Sequence, residues 1–339
     1  MSRAPSTTPI EQRVGQFGAS RAPLLIWAAL VVLGAAALVA AMVPVGPDWL
    51  GAAGSIVIAT TYTSALAART GGRPIVFGLL ALVCGLAAVL TEQELLLTGA
   101  AVSTSAIAAV LGVMGTIPAQ GFLGAVRECI VALVYAGVGA MATVGFEPAV
   151  DTVRFEYVGL GMAFFGALIL VNRLGAGLHG LGRRGLIVVG IGAVLLAATL
   201  LYAELLRRYG SAALVDELLS WVAWSREHLG AFPRPIETLL GVPALAYGCH
   251  MRARRRQGWW VCAFGVAATS PTATALANPA VTVEEAVLSV VYGLVVGLVI
   301  GWLAIRIDLA LTGNRGRRSR AAEQAAAVRP EPSRFAPLL

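Results

Sequence analysis

Charge is what this sequence has least of. Only 13% of its 339 residues are Asp, Glu, Lys or Arg, against roughly 25% in a soluble domain. With 58% hydrophobic residues and a mean hydropathy of +0.80, most of the chain cannot face water, which excludes a soluble globular fold. Lysine is missing altogether, so all 25 basic residues are Arg. Together with the abundance of Ala, Gly and Val, this points to GC-rich bacterial coding. Histidine is confined to His179, His228 and His250, far apart and outside any HExxH pattern. Cys84, Cys129, Cys249 and Cys262 form no CxxC pair and read as small buried hydrophobes. No metal site, disulfide framework or cofactor is therefore expected. There is no nucleotide-binding loop and no recognisable catalytic triad, so no catalytic residue is assigned and an enzyme is the less favoured class. The net charge of +7 does not argue for nucleic acid, because cytoplasmic loops of bacterial membrane proteins collect Arg.

What is present is a series of apolar runs close to the ~20 residues that a spanning helix needs. An all-α, polytopic membrane bundle is expected, and a β-barrel of short alternating strands fits poorly. Residues 1–23 form a polar cytoplasmic tail. About ten spans follow, at 24–45, 51–68, 75–91, 95–117, 122–145, 155–172, 186–206, 236–250, 259–277 and 283–306, which together make a transmembrane domain over 24–306. The eighth is the weakest, short and containing Pro243 and Glu237. In the long connection 207–235, Leu214, Leu218, Trp221, Val222 and Leu229 recur at helical spacing. An amphipathic helix over 211–229 is expected on the outer leaflet or capping the bundle, ended by Phe232-Pro233-Arg234-Pro235. Residues 307–339 are rich in Arg, Ala, Pro and Glu and read as a disordered basic tail. Its Arg cluster suits anionic headgroups at the cytoplasmic face, at ~1 kcal/mol per Arg.

Arg placement sets the orientation. Segments assigned inside hold 19 Arg against four acids, and those assigned outside hold five Arg against 13 acids. Both termini are thus expected inside, in the cytoplasmic (inner) membrane of a bacterium.

Arg127 and Glu128 lie inside the fifth span, where a charge costs ~2.5–3.5 kcal/mol on insertion scales. Adjacent helical residues point ~100° apart, so the two are not expected to pair. Arg127 can snorkel to the headgroups, and Glu128 shares a face with Tyr135. A structural role is the commoner outcome for such residues, and a substrate or proton site is the alternative. Hydroxyls cluster at Thr60–Ser64, Ser103–Ser105 and Thr269–Thr274, the last around Pro271. Broken helices with hydroxyls build transporter sites, but hydroxyls are also ordinary interhelical glue. The substrate-pathway candidates are Arg127, Glu128, Tyr135, Ser103, Thr104, Ser270, Thr272 and Tyr292. Gly293, Gly297 and Gly301 form a doubled GxxxG suited to close helix packing, within the bundle or in a homodimer.

Residues 131–137 and 288–294 resemble each other, and each follows a Pro-Ala loop (Pro118-Ala119, Pro279-Ala280). A five-plus-five inverted repeat would align them. Ten spans, both ends inside and this division resemble the drug/metabolite transporter superfamily in organisation, although the long segment 207–235 departs from that family's short loops. The resemblance implies a small-molecule transporter. The alternatives are a non-catalytic membrane subunit or envelope-assembly factor acting through a membrane-protein partner, and a lipid-modifying enzyme using the outer acids Glu147, Asp151, Glu156, Glu284 and Glu285.

Overall fold

A computed structural model describes residues 21–43, 45–149, 152–174, 187, 189–198, 201, 209, 212–253, 258–325 and 331–338, with the backbone alone at 152, 212–214 and 311–325. Within these residues the chain is all-helical. Its helices are α1 (Ala22–Met42), α2 (Trp49–Arg69), α3 (Pro74–Thr91), α4 (Glu94–Met114), α5 (Phe122–Val144), α6 (Thr152–Arg173), α7 (Val189–Ala198), α8 (Ala212–Leu229), α9 (Val242–Arg252), α10 (Gly258–Ala263), α11 (Val266–Ala273) and α12 (Val283–Ala325). Seven of them, α1 to α6 and the first 28 residues of α12, are long and apolar enough to cross a membrane.

The bundle is apolar outside and small-residue inside. On α3, Ile75, Leu79, Leu80, Val83 and Leu90 are all exposed, a surface suited to lipid rather than water. The centre is α4, which packs on α2, α5, α6 and α11. Ala101, Ala108, Ala109, Ala132 and Ala136 are completely buried where it meets its neighbours. Small side chains let backbones approach, and the gain is dispersion across closely packed helices. Gly112 is one such point: a Cβ there would lie 2.7 Å from Ala132 O.

Seven is fewer than the ten spans expected, and the difference lies in the second half. The region expected to form the seventh span falls mostly outside the described residues; α7 within it has 10 residues and rests on Phe264 near Gly192. The expected eighth and ninth spans form a hairpin of short, broken segments. The first opens at Pro235, passes through a π-helical turn at Glu237–Gly241 and continues as α9. Pro243 explains the turn: it has no N–H to offer Leu239 O, and the register widens, with Val242 N–H bonding Glu237 O. The second segment is α10 and α11, joined through Phe264-Gly265 by i→i+3 bonds such as Gly265 N to Cys262 O at 2.8 Å.

Both segments run end to end through the bundle. Ala119 N–H bonds Cys249 O at one end, and Thr143 Oγ1 donates to Ala273 O at the other, 3.3 Å away. The hairpin is tight at Gly241, where a Cβ would stand 2.1 Å from Ala268 N. The pairings of the two halves differ: α4 packs extensively on α5, whereas α11 barely touches α12, which packs instead on α9 and the π-turn.

Two further features depart from the sequence reading. Helix α12 continues to Ala325, well past residue 306. Residues 331–338, expected to be disordered, fold back on the end of the bundle that carries Arg69 and Arg252, where the ion pairs of Arg334 and Glu331, hydrogen bonds from Arg69 and the apolar contacts of Phe335 and Leu338 hold them.

Candidate functional site

The polar end is built around Glu128, wholly buried one and a half turns into α5. The α4–α5 connection passes over it, so Ile117 N–H donates to Oε2 at 2.9 Å. Arg334, from the returning C-terminal segment, donates Nη2 to both carboxylate oxygens at 2.9 and 2.8 Å, and Nη1 to Gly115 O at 2.7 Å. Arg127 also bonds Glu128, Nε to Oε1 at 2.9 Å, contrary to expectation. Its flexible stem lets the guanidinium fold back along the helix while the side chain stays 60% exposed.

Two more arginines flank this carboxylate. Arg69, buried at the end of α2, donates Nε to Met114 O at 3.1 Å and Nη1 to the carbonyls of Ser333 (2.7 Å) and Ala336, while Leu338 N–H bonds Arg69 O at 2.8 Å. Arg252, at the end of α9, donates to Thr116 Oγ1 at 2.7 Å and to Glu331 Oε2 at 2.6 Å. Its guanidinium lies 3.4 Å from the centroid of the Trp259 ring. Aromatic residues close the side: Phe335 packs on Trp27 (centroids 6.0 Å apart), Trp27 on Tyr135 (6.5 Å) and Tyr135 on Tyr62 (5.7 Å). Residues 331–338 therefore form a plug in a network of four arginines and two glutamates from four parts of the chain, α2, α5, α9 and the segment itself.

The other candidates are not brought to this place. Thr143 stands 15 residues after Glu128, ~22 Å along α5, and the segment around Ser270 lies at the Thr143 end. There Ser105, Ser270 and Thr274 converge on Gly159 of α6: a Cβ on that glycine would lie 3.5 Å from Ser105 Oγ, 3.5 Å from Thr274 Cγ2 and 4.0 Å from Ser270 Oγ. Thr104 is buried and Ser103 half-buried on α4. Three of these hydroxyls bond on their own helix: Ser105 Oγ to Val102 O (2.8 Å), Thr272 Oγ1 to Ala268 O (2.9 Å) and Thr274 Oγ1 to Ser270 O (3.1 Å). Such back-bonding is what isolated helical Ser and Thr do, and it leaves few donors for a solute. Tyr292 lies at the exterior, donating to Leu229 O at 2.8 Å and fastening the end of α8 to α12. Gly293, Gly297 and Gly301 face the π-turn and α9 within the bundle: a Cβ on each would come within 3.0 Å of Glu237 Oε1, 2.7 Å of Val242 Cβ and 3.1 Å of Ala246 Cβ.

Sequence reasoning missed three participants. Arg69 and Arg252 fall among the inside Arg that set the orientation, and Arg334 lies in the stretch read as a disordered tail. Glu237, which in the sequence only weakens the eighth span, is wholly buried. A basic residue at the cytoplasmic end of a span carries no mark that distinguishes a plug-holding arginine from a headgroup-facing one. Among the described residues, no group of three or more His, Cys, Asp and Glu is placed to hold a metal ion.

These features define a helical membrane bundle closed at one end by its own C-terminal segment. No protein-family model, curated protein or solved structure matches this chain.

Proposed function

We propose that the chain is a small-molecule transporter of a bacterial inner membrane, with both termini in the cytoplasm and its Glu128 mouth shut by residues 331–338. One observation carries this reading. A carboxylate buried within a spanning helix takes its charge partner, Arg334, whose Nη2 bonds both carboxylate oxygens, from 206 residues away on the C-terminal segment. A purely structural cap is served as well by apolar packing, and a buried ion pair costs desolvation to keep. Charges that become a hydrated mouth on release are useful to a protein that must open.

The ten-span count belongs to the same proposal. Residues 235–252 cover ~27 Å at 1.5 Å per residue, close to the ~30 Å of hydrocarbon, and with the returning α10–α11 segment they supply two further crossings; the tenth is the apolar run 186–206, most of whose neighbours lie outside the described residues. Broken segments of this kind, inside the bundle, are where transporters place their sites. The Arg bias puts the Arg69 and Arg252 end in the cytoplasm.

A second reading, a membrane subunit acting through a partner, is favoured by α8, which leaves Leu219, Trp221 and Trp224 exposed while Arg226 pins it to Glu285 of α12 at 3.0 Å. The two are separated by reconstituting the purified protein in liposomes, incubating with a solute extract and reading the retained solutes by mass spectrometry. A transporter retains at least one solute above empty liposomes and loses it in Glu128→Gln. A chain that retains none but purifies with a stoichiometric partner is a subunit.

A further inference from the structure

Among the described residues, Glu237 is the second fully buried carboxylate, and it has no role in the closed mouth. It sits in the π-turn, completely shielded from solvent, and neither carboxylate oxygen has a hydrogen-bond partner. The side chain occupies the space left by Gly293 on α12, whose absent Cβ would stand 3.0 Å from Oε1. The glycine therefore does more than allow helix contact, because it makes room for a carboxyl group. Exposed acids at a span end need no explanation, but a buried one without a donor does.

Charged groups around it are few. Arg234, one turn earlier, directs Nη1 to Pro271 O. On α12, Glu284 is exposed and Glu285 is held by Arg226 of α8. Helix α11 carries Ser and Thr but no titratable residue, and α5 has its two charges, Arg127 and Glu128, at the opposite end. His250 and Arg252 are at the far end of α9. A carboxyl group so placed is less costly as the neutral acid, which removes the penalty of an unpaired charge.

A cavity lies near it, lined by chain neighbours of Glu237 and Gly293 but not by Glu237 itself. Its volume is about 140 Å³, room for several waters, and its lining includes Phe232, Arg234, Pro235, Glu285 and Ser289. Pro235 is two residues before Glu237, and Ser289 is one turn before Gly293. Ser289 Oγ donates to Phe232 O at 2.8 Å across the inner wall.

We propose that Glu237 is a proton-binding site that exchanges with water in this cavity from the face opposite the plug. Protonation adds one proton from water to a carboxylate oxygen and cancels one negative charge; no bond of the chain is broken. Resting on the transport reading, this makes Glu237 the group through which solute movement is coupled to a proton.

The test uses the full chain in lipid nanodiscs, by infrared difference spectroscopy between acid and alkaline pH, in H₂O and D₂O. A carboxylic acid C=O band that shifts in D₂O, weakens as pH rises and vanishes in Glu237→Gln is expected. Superimposable difference spectra for the wild type and Glu237→Gln would overturn the proposal. Folding is checked by thermal unfolding. Because glutamine mimics the neutral acid, the variant should melt with the wild type at neutral pH; a strongly lowered melting temperature would mean that Glu237 is charged and paired, which also overturns it. Failure is separable from that of the transport reading. A vanishing band without solute uptake leaves a proton site and no transporter. Uptake with an unchanged band leaves a transporter whose coupling lies elsewhere.

Discussion

Replacing Arg334 by Ala should release the C-terminal plug. Arg334 makes three hydrogen bonds, two of them to the oxygens of a carboxylate with no exposed surface, and is itself only 16% exposed. Its loss leaves Glu128 with Ile117 N–H and the half-exposed Arg127. Removing one partner of a buried ion pair costs ~3–5 kcal/mol. The lower end applies here, because residues 331–338 can lift away and let water reach Glu128. A cost of ~3 kcal/mol is a factor of ~150 in the seating equilibrium at 1.4 kcal/mol per tenfold. Carboxypeptidase digestion in nanodiscs reads that equilibrium directly: the C-terminal residues of Arg334→Ala should be trimmed up to two orders of magnitude faster than those of the wild type, as followed by intact mass. Glu128→Gln removes the charge that Arg334 serves, so the double variant should be trimmed hardly faster than Arg334→Ala alone, with a coupling of ~2–3 kcal/mol. Equal trimming of wild type and Arg334→Ala, or strictly additive effects, would refute the pairing.

Other outcomes follow from the same geometry. Trp259→Leu removes the ring beneath Arg252 and should weaken the plug by ~1–2 kcal/mol, read as about tenfold faster trimming with unchanged helix content. Gly297→Leu forces a side chain into Val242, 2.7 Å from where its Cβ would be, and should lower stability by ~1–3 kcal/mol in thermal unfolding. Gly137→Ala, with nothing within 4 Å of the new methyl group, should be neutral or stabilise α5 by up to ~1 kcal/mol. For topology, a cysteine in place of Ser220 should react with an impermeant thiol reagent added to intact cells, and one in place of Ser333 should not; the reverse would invert the protein in the membrane.

The fold class and most helix ends were readable because each rests on a local signal. Apolar runs located α1 to α6 within a few residues, and Pro74 marks the start of α3 where a missing N–H costs nothing. Helical spacing located α8. Apolar run length and helix length part company where helices are short and internally broken: Pro243 and Gly265 interrupt the ladder, and burial inside the bundle replaces length as what stabilises them. The site was half readable. Glu128 stood out because a charge within a span is rare. Its partner could not be foreseen, since the Arg334 pairing depends on chain reversal after α12, and 331–338 shows no apolar periodicity. The pairing with Arg127 was missed because side-chain reach outweighs the angular separation of neighbouring positions. Glu237 was passed over because an acid near a span end is unremarkable until the neighbouring glycine is seen to face it.

Whether the plug must leave for solute to pass can be measured by locking it. Leu338 N–H bonds Arg69 O at 2.8 Å, so Thr70→Cys and Leu338→Cys, on a background without the four native cysteines, place two thiols on adjoining backbone. Uptake in proteoliposomes of a solute retained by the wild type is then compared before and after oxidation. Uptake should fall to the level of empty liposomes when the disulfide forms and return on reduction. Undiminished uptake with the segment covalently held against α2 would contradict a transporter closed by its own C-terminus.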